Sequence, residues 1–437
     1  MRYFSPLVTF IMACVFTGHF FSAQAQQVPT VDAIYDPQIR TVLLYPPVGG
    51  DAGNPAQTLN PPIIDNEQGP ALQLEFDDLM ASYRSFRARL IHCNADWRQS
   101  VLSDIEFTYE YNDMPITDYQ VSMNTKVPYY HYRFTVPRVK LPGNYVLVVF
   151  DERNPRTVLF TRRFSTYTNR IAVAAGVRFS TDVERQFSDQ QIELTINYRG
   201  YPVISPQDDF KVVIRQNYRD DKAISGLRPT NVRPFEEVLE YRLVDLSNTF
   251  PGGNEYRFFD TRTILSRANY IDRIERPADR NIAYVQVDRP RSRGAYLQAD
   301  DFNGQYVIDH RESGNGATEA DYIETIFTLS TDERPDAGVF VNGAFNLWQL
   351  NDRNRMSYDA ARGVYQASIL LKQGVYNYNY AVTGAAPAGS PSGNDTLLEG
   401  NYSATENDYE IFIYNRPPAA RADQLVGYRK IGYNKRR

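Results

Sequence analysis

The chain has 437 residues, 42% hydrophobic, 23% charged and 13% aromatic, long enough for about two to three domains with cores of their own. Its 47 basic and 52 acidic side chains are mixed along the sequence for a formal net charge of −5, which leaves no basic footprint for nucleic acid. Two cysteines in a chain of this size exclude a disulfide-stapled scaffold.

Arg2, an apolar run from Phe4 to Phe21 and then Ser22-Ala23-Gln24-Ala25 read as an export signal over residues 1–25, with cleavage after Ala25. Ile11-Met12-Ala13-Cys14 faintly matches a lipid-attachment site, but the apolar run continues through Phe20 and places Cys14 inside the leader core. Cleavage leaves one thiol, Cys93, so large hydrophobic cores must stabilise an exported protein suited to a bacterial periplasm. Val28 to Gly69, rich in Pro, Gly, Asn and Ala, reads as loop or extended linker, and so does Gly384 to Gly393.

Beyond the leader the ordered segments alternate apolar and polar residues with period two, punctuated by Gly, Pro, Asn or Asp, and no long amphipathic helix intervenes. This predicts an all-β chain of tandem immunoglobulin-like or early-set β-sandwiches. Tyr129 to Val136 puts Tyr130, Tyr132, Phe134 and Val136 on one face. Tyr145 to Phe150 is nearly all apolar and should be buried on both sides. Ala295 to Asp300 and Gln305 to Asp309 flank Asn303-Gly304, the signal for a tight hairpin. Where the strand pattern lapses, the expected units are a first sandwich over 26–166, a middle one over 167–320 and a C-terminal one over 321–415. A tail over 416–437 follows, with seven basic residues against one acid, Asp423. It reads as a solvated end, or as a contact for anionic lipid headgroups or for an acidic partner surface.

Enzyme constellations are largely missing. Only His92, His131 and His310 follow the leader, and no Gly-x-Ser-x-Gly, His-Glu-x-x-His or Gly-Lys-Ser loop occurs. Acidic pairs such as Asp77-Asp78, Asp208-Asp209, Asp220-Asp221 and Asp300-Asp301 sit beside turn signals, and adjacent strand residues point to opposite faces. The densest chemistry is His92-Cys93-Asn94-Ala95-Asp96-Trp97. His92 and Cys93 would diverge on a strand, which disfavours both a zinc site and a Cys-His nucleophile even if His131 joined from a neighbouring strand. The favoured alternative is a strand end ending in Cys93, a turn over Asn94 to Asp96 with Asn94 or Asp96 bonding nearby backbone amides, and Trp97 closing the core edge. No enzyme, cofactor or metal is expected.

A second constellation runs from Val339-Phe340-Val341-Asn342-Gly343-Ala344-Phe345-Asn346-Leu347-Trp348 through Gly363-Val364-Tyr365 to Gly374-Val375-Tyr376-Asn377-Tyr378. It resembles the glycogen-binding or isoamylase-type early-set sandwich, in which Trp348 matches the first sugar-stacking tryptophan. No second tryptophan follows in Ala381 to Asn394, so the module reads as architecture; glycan binding through Trp348 is the alternative function.

Both constellations occur together with Asp118-Tyr119, Tyr129 to Arg133, Leu141-Pro142-Gly143-Asn144-Tyr145, Thr161-Arg162-Arg163-Phe164, Gly253 to Asp260, Glu399-Gly400-Asn401 and Asn407-Asp408-Tyr409. From about Ile34 to Arg416 the chain resembles the plug proteins of the type IX secretion system. The resemblance makes His92, Cys93, Asn94, Asp96 and Trp97 a family signature of structural character. It implies a periplasmic protein, monomeric on its own, docked beneath a very large outer-membrane β-barrel translocon and closing its inner mouth while no cargo is engaged. The C-terminus, Gly427 to Arg437, does not resemble the sorting domain of cargo, which favours an apparatus component.

Overall fold

The computed structural model describes residues 28–47, 54–332, 335, 337–383 and 393–435. The leader, including Cys14, Ala23 and Ala25, and the segment 384–392 lie outside the described residues. The predicted all-β class holds: six sheets pair face to face into three sandwiches, and helix is confined to single turns such as Asp104–Phe107 among the described residues.

In the first sandwich one sheet orders Ala33–Ile34, Asn154–Tyr167, Gly143–Asp151, Phe86–Cys93 and Met114–Ile116. It faces a sheet of Ile39–Tyr45, Gln73–Asp78, Tyr130–Thr135 and Asp118–Val121. Alternation along each strand sends Leu74, Phe76, Phe86, Leu90, Tyr132 and Leu147 into one core. Gly143–Asp151 is buried on both sides as predicted, with Tyr145, Leu147 and Val149 in that core and Val146 and Val148 against Cys93. Part of the expected linker is a core strand, since Ile39, Val42 and Leu44 of Ile39–Tyr45 are buried. Its apolar positions escaped notice because a one-residue bulge between Arg40 and Leu43 breaks the period of two.

The sheets divide the rest of the chain differently from the expected spans 167–320, 321–415 and 416–437. The second sandwich pairs Ala172–Phe179, Asp189–Asn197, Val238–Tyr241 and Asn231–Arg233 in one sheet. Its other sheet orders Arg219–Ser225, Lys211–Gln216, Asn407–Asn415 and Gln424–Tyr433. Two of those strands arrive from the C-terminal end of the chain. The third sandwich lies between them in sequence: Arg257–Asp260, Gly374–Val382, Tyr306–Ile308 and Val339–Asn342 face Ile271–Glu275, Asn281–Val285, Tyr322–Ser330, Val364–Lys372 and Ser357–Asp359. It is therefore an insertion within the second. The strand pattern reports which residues are buried but not which strand they pair with. Asn407–Asn415, buried at every position, is a central strand whose Tyr409, Ile411 and Ile413 complete the second core.

The expected tail contains the strand Gln424–Tyr433. Four of its seven basic residues pair with acids of this chain: Arg416 with Asp423 at 3.0 Å, Arg421 with Glu106 at 3.1 Å, and Lys430 and Lys435 with Asp408 at 3.2 and 2.8 Å. The predicted hairpin at Asn303-Gly304 forms only its turn, with φ of 52° and 80° and Gln305 N–H donating to the Phe302 carbonyl at 3.1 Å. Ala295 to Asp300 is not a strand, and Tyr306–Ile308 pairs instead with Gly374–Val382.

Candidate functional site at the joints between the sandwiches

Phe86–Cys93 alternates buried and half-buried positions and ends with His92 and Cys93 both inside, on opposite faces. His92 stands edge-on to Tyr145 at 5.0 Å, and its Nδ1 lies 3.0 Å from Ser100 Oγ. Burial drives its pKa down to about 4 against an opposing pull from Asp423, so the ring is neutral. Its Nε2 has no partner and faces the backbone of Gly143, where a Cβ would come within 2.8 Å. That close approach explains a glycine in the Leu141 to Tyr145 block. Cys93 packs with Val146, Val148 and Trp97, and burial pushes its thiol up to about 12, which disables it as a nucleophile.

The turn over Asn94 to Trp97 closes with Trp97 N–H donating to the Asn94 carbonyl at 2.9 Å. Trp97 holds φ of 62°, and Arg163 stacks on its ring at 4.2 Å. Asp96 bonds locally, accepting from Arg98 N–H at 3.1 Å. Asn94 does not. Its Oδ1 accepts from Asp423 N–H at 3.1 Å and from Arg416 at 3.0 Å, both in the C-terminal part of the second sandwich. Ala95 N–H donates to the Asp423 carboxylate at 3.1 Å, and Lys211 and Arg416 neutralise that carboxylate at 2.9 and 3.0 Å. Behind the turn, Asn144 donates to the Asn94 carbonyl and accepts from Tyr414 OH at 2.8 Å. Ala95 then sits in an apolar seam with Phe412, Tyr414 and Leu425. The six-residue block is thus the joint between the first and second sandwiches.

His131 does not join His92, because the two strands belong to opposed sheets. It lies at the joint between the first and third sandwiches. There Asp77, which is fully buried, accepts from His131 Nδ1, Lys372 Nζ and Tyr322 OH, each at 2.7 Å. Burial raises the Asp77 pKa, but Lys372 and His131 together outweigh it and hold the carboxyl below its usual range. Lys372 Nζ also sits 4.2 Å over the Tyr129 ring and donates to the Ala317 carbonyl at 2.8 Å. Asp77-Asp78 is therefore no turn: both residues end the strand Gln73–Asp78, and Asp78 turns the other way to pair with Arg84 at 2.7 Å. Lys372 and Tyr322 went unnoticed in the sequence; a lysine closing an apolar strand was the available signal.

The second and third sandwiches meet around Arg219, which is buried between Asp221 at 2.6 Å and Asp395 at 2.9 Å. Its guanidinium lies 4.2 Å over the ring of Trp348, and Tyr256 meets the same ring edge-on at 5.8 Å. A Cβ on Gly304 would come within 2.3 Å of Trp348. Trp348 packs at this joint with Arg219 covering one face of its ring. The Gly253 to Asp260 and Glu399 to Asn401 blocks close this joint too, through Asn254 to the Glu399 carbonyl at 2.7 Å and Arg257 to Glu399 at 3.0 Å. No group of three or more potential metal ligands converges among the described residues.

The family model described as type 9 secretion system plug protein 1st domain matches residues 39–168, the span of the first sandwich strands from Ile39 to Tyr167. The crystal structure of a hypothetical protein from Parabacteroides merdae ATCC 43184 superposes with a TM-score of 0.85 at 31% identity, covering 93% of this chain and 100% of that chain. Escherichia coli alpha-2-macroglobulin activated by porcine elastase aligns at 8% identity with a TM-score of 0.17, covering 90% of this chain and 30% of that chain, which is too dissimilar to carry an argument. No curated protein matches the sequence.

Proposed function

We propose, on the premise that the chain belongs to the type 9 secretion system plug protein family, that it is a periplasmic plug closing the inner mouth of the outer-membrane translocon barrel while no cargo is engaged. The family places the chain in type 9 secretion; the plugging role is our reading. The observation that carries it is the coincidence of the family's first domain with the sandwich that carries both the His92 to Trp97 joint and the Asp77 joint. Occlusion needs a body that keeps its shape under crowding by solutes and cargo, and three sandwiches tied by buried charge and hydrogen bonds supply one. Tyr109 and Tyr111, 68% and 83% exposed on the first sandwich next to exposed Ile105, give it an aromatic surface of the kind that protein partners cover. No helix among the described residues is long and apolar enough to cross a membrane, which suits a peripheral part.

Cross-linking in intact envelopes should capture an outer-membrane barrel, and deleting the gene should raise permeability to bulky antibiotics. Unchanged permeability together with no barrel partner would overturn the proposal.

A further inference from the structure

Between the first and third sandwiches lies a cleft of about 300 Å³, at the lower end of the size of small-molecule sites. Its floor is apolar, formed by Ile39, Phe345, Leu371 and Tyr376, and two arginines, Arg40 and Arg353, line it. No aspartate or glutamate does so among the described residues. Asp36, the acid nearest Arg40 in sequence, is engaged by Arg84 at 2.7 Å. Burial first, and then the charge of Arg353, holds the Arg40 guanidinium below its usual range, with Tyr322 and Asp36 opposing. The amides of Asn346 and Asn354 already donate to the carbonyls of Val341 and Gln349, and one terminal nitrogen of Arg40 donates to the carbonyls of Pro37 and Ile39, so the rest of the Arg40 guanidinium and that of Arg353 are the charged donors facing a guest.

The backbone beside them is strained. Thr41, a β-branched residue, holds φ of 51° at the bulge in Ile39–Tyr45, with its Oγ1 2.7 Å from Tyr322 OH of the third sandwich. A bulge re-aims the side chains around it, and here the neighbour it carries is Arg40.

From this cleft we infer a binding site for an organic carboxylate with an apolar body, the acid group held between Arg40 and Arg353 and the body against Ile39, Phe345 and Leu371. The inference is independent of the plugging role. Two guanidinium groups lining one cleft that no carboxylate lines suit a planar carboxylate, and the apolar floor adds what a bare inorganic anion cannot use.

Calorimetric titration of the full mature chain with N-acetyl-Phe-Leu bearing a free carboxyl, with its carboxamide and with phenylpropanoate tests this. We expect saturable binding of a free acid, weakened at least about tenfold in the carboxamide and in Arg353→Gln, the loss typical of a charge-assisted hydrogen bond. Arg353 is exposed, so that variant keeps the fold; Arg40→Gln is the second, half-buried test. Preference for the dipeptide identifies a peptide C-terminus as the guest, and preference for phenylpropanoate a free small acid. Equal binding of the carboxamide, an unchanged Arg353→Gln, or no binding of any probe at millimolar concentration overturns the inference.

Discussion

The two joints of the first sandwich solve one problem in opposite ways. Toward the second sandwich, the His92 to Trp97 block meets a carboxylate of that sandwich, Asp423, through backbone and amide hydrogen bonds, and the cationic partners of Asp423, Lys211 and Arg416, are about half exposed. Toward the third, Asp77 and Lys372 face each other with both side chains almost wholly out of water. The first arrangement tolerates loss of one contact because water can replace a partner. The second does not, since removing either charge strands the other. Chemically crowded sequence therefore marks the milder joint, and a single buried pair that no motif announces marks the more demanding one.

The largest expected effect tests that contrast. Asp77→Ala should destabilise the protein by about 3–5 kcal/mol in urea unfolding, and Lys372→Met added to it should recover most of the loss. A cost under about 1 kcal/mol for the single variant would erase the distinction between the joints. Next comes acid sensitivity at the milder joint. Unfolded His92 takes up a proton near pH 6.5, whereas the folded ring resists until about 4. Its contribution is thus intact above pH 6.5 and is lost as pH falls through that window, by about 3 kcal/mol in all. His92→Gln should flatten stability between these pH values, and an unchanged slope would show that the ring is not buried neutral.

Smaller again is Asn94→Ala, which removes the acceptor for Asp423 N–H and Arg416 and should cost about 1–2 kcal/mol in the same urea assay. Arg421→Ala, at the exposed rim of that joint, should leave the midpoint where it is. Least perturbing is thiol labelling of the folded protein. Cys93 should react with a maleimide only at the rate of unfolding, and rapid labelling would place the strand end in water.

Much of the local structure was legible. The doubly buried strand at Tyr145 to Phe150, the diverging pair His92 and Cys93, and the turn that follows them all stand as predicted, because period-two alternation and turn residues act within a few neighbours. The sequence also singled out the blocks that turned out to be joints, though not that Asn94 reaches 329 residues away to Asp423.

Partners across the fold were beyond it. Nothing in Asn407–Asn415 says that it sits beside Lys211–Gln216, and nothing in Gln424–Tyr433 says that its Lys430 meets Asp408. Asp77 carries the same chemistry in a turn as in a buried ion pair, and Lys372 and Tyr322, packed against it from the third sandwich, decide between them. Likewise nothing around Trp348 in the sequence says that Arg219 covers one face of its ring. By itself the sequence determined the fold class, many of the strands and the family, all set by short-range pattern. The discontinuous second sandwich, the charged joints and the arginine cleft were decided by tertiary structure alone, because pairing energies depend on which distant strand arrives.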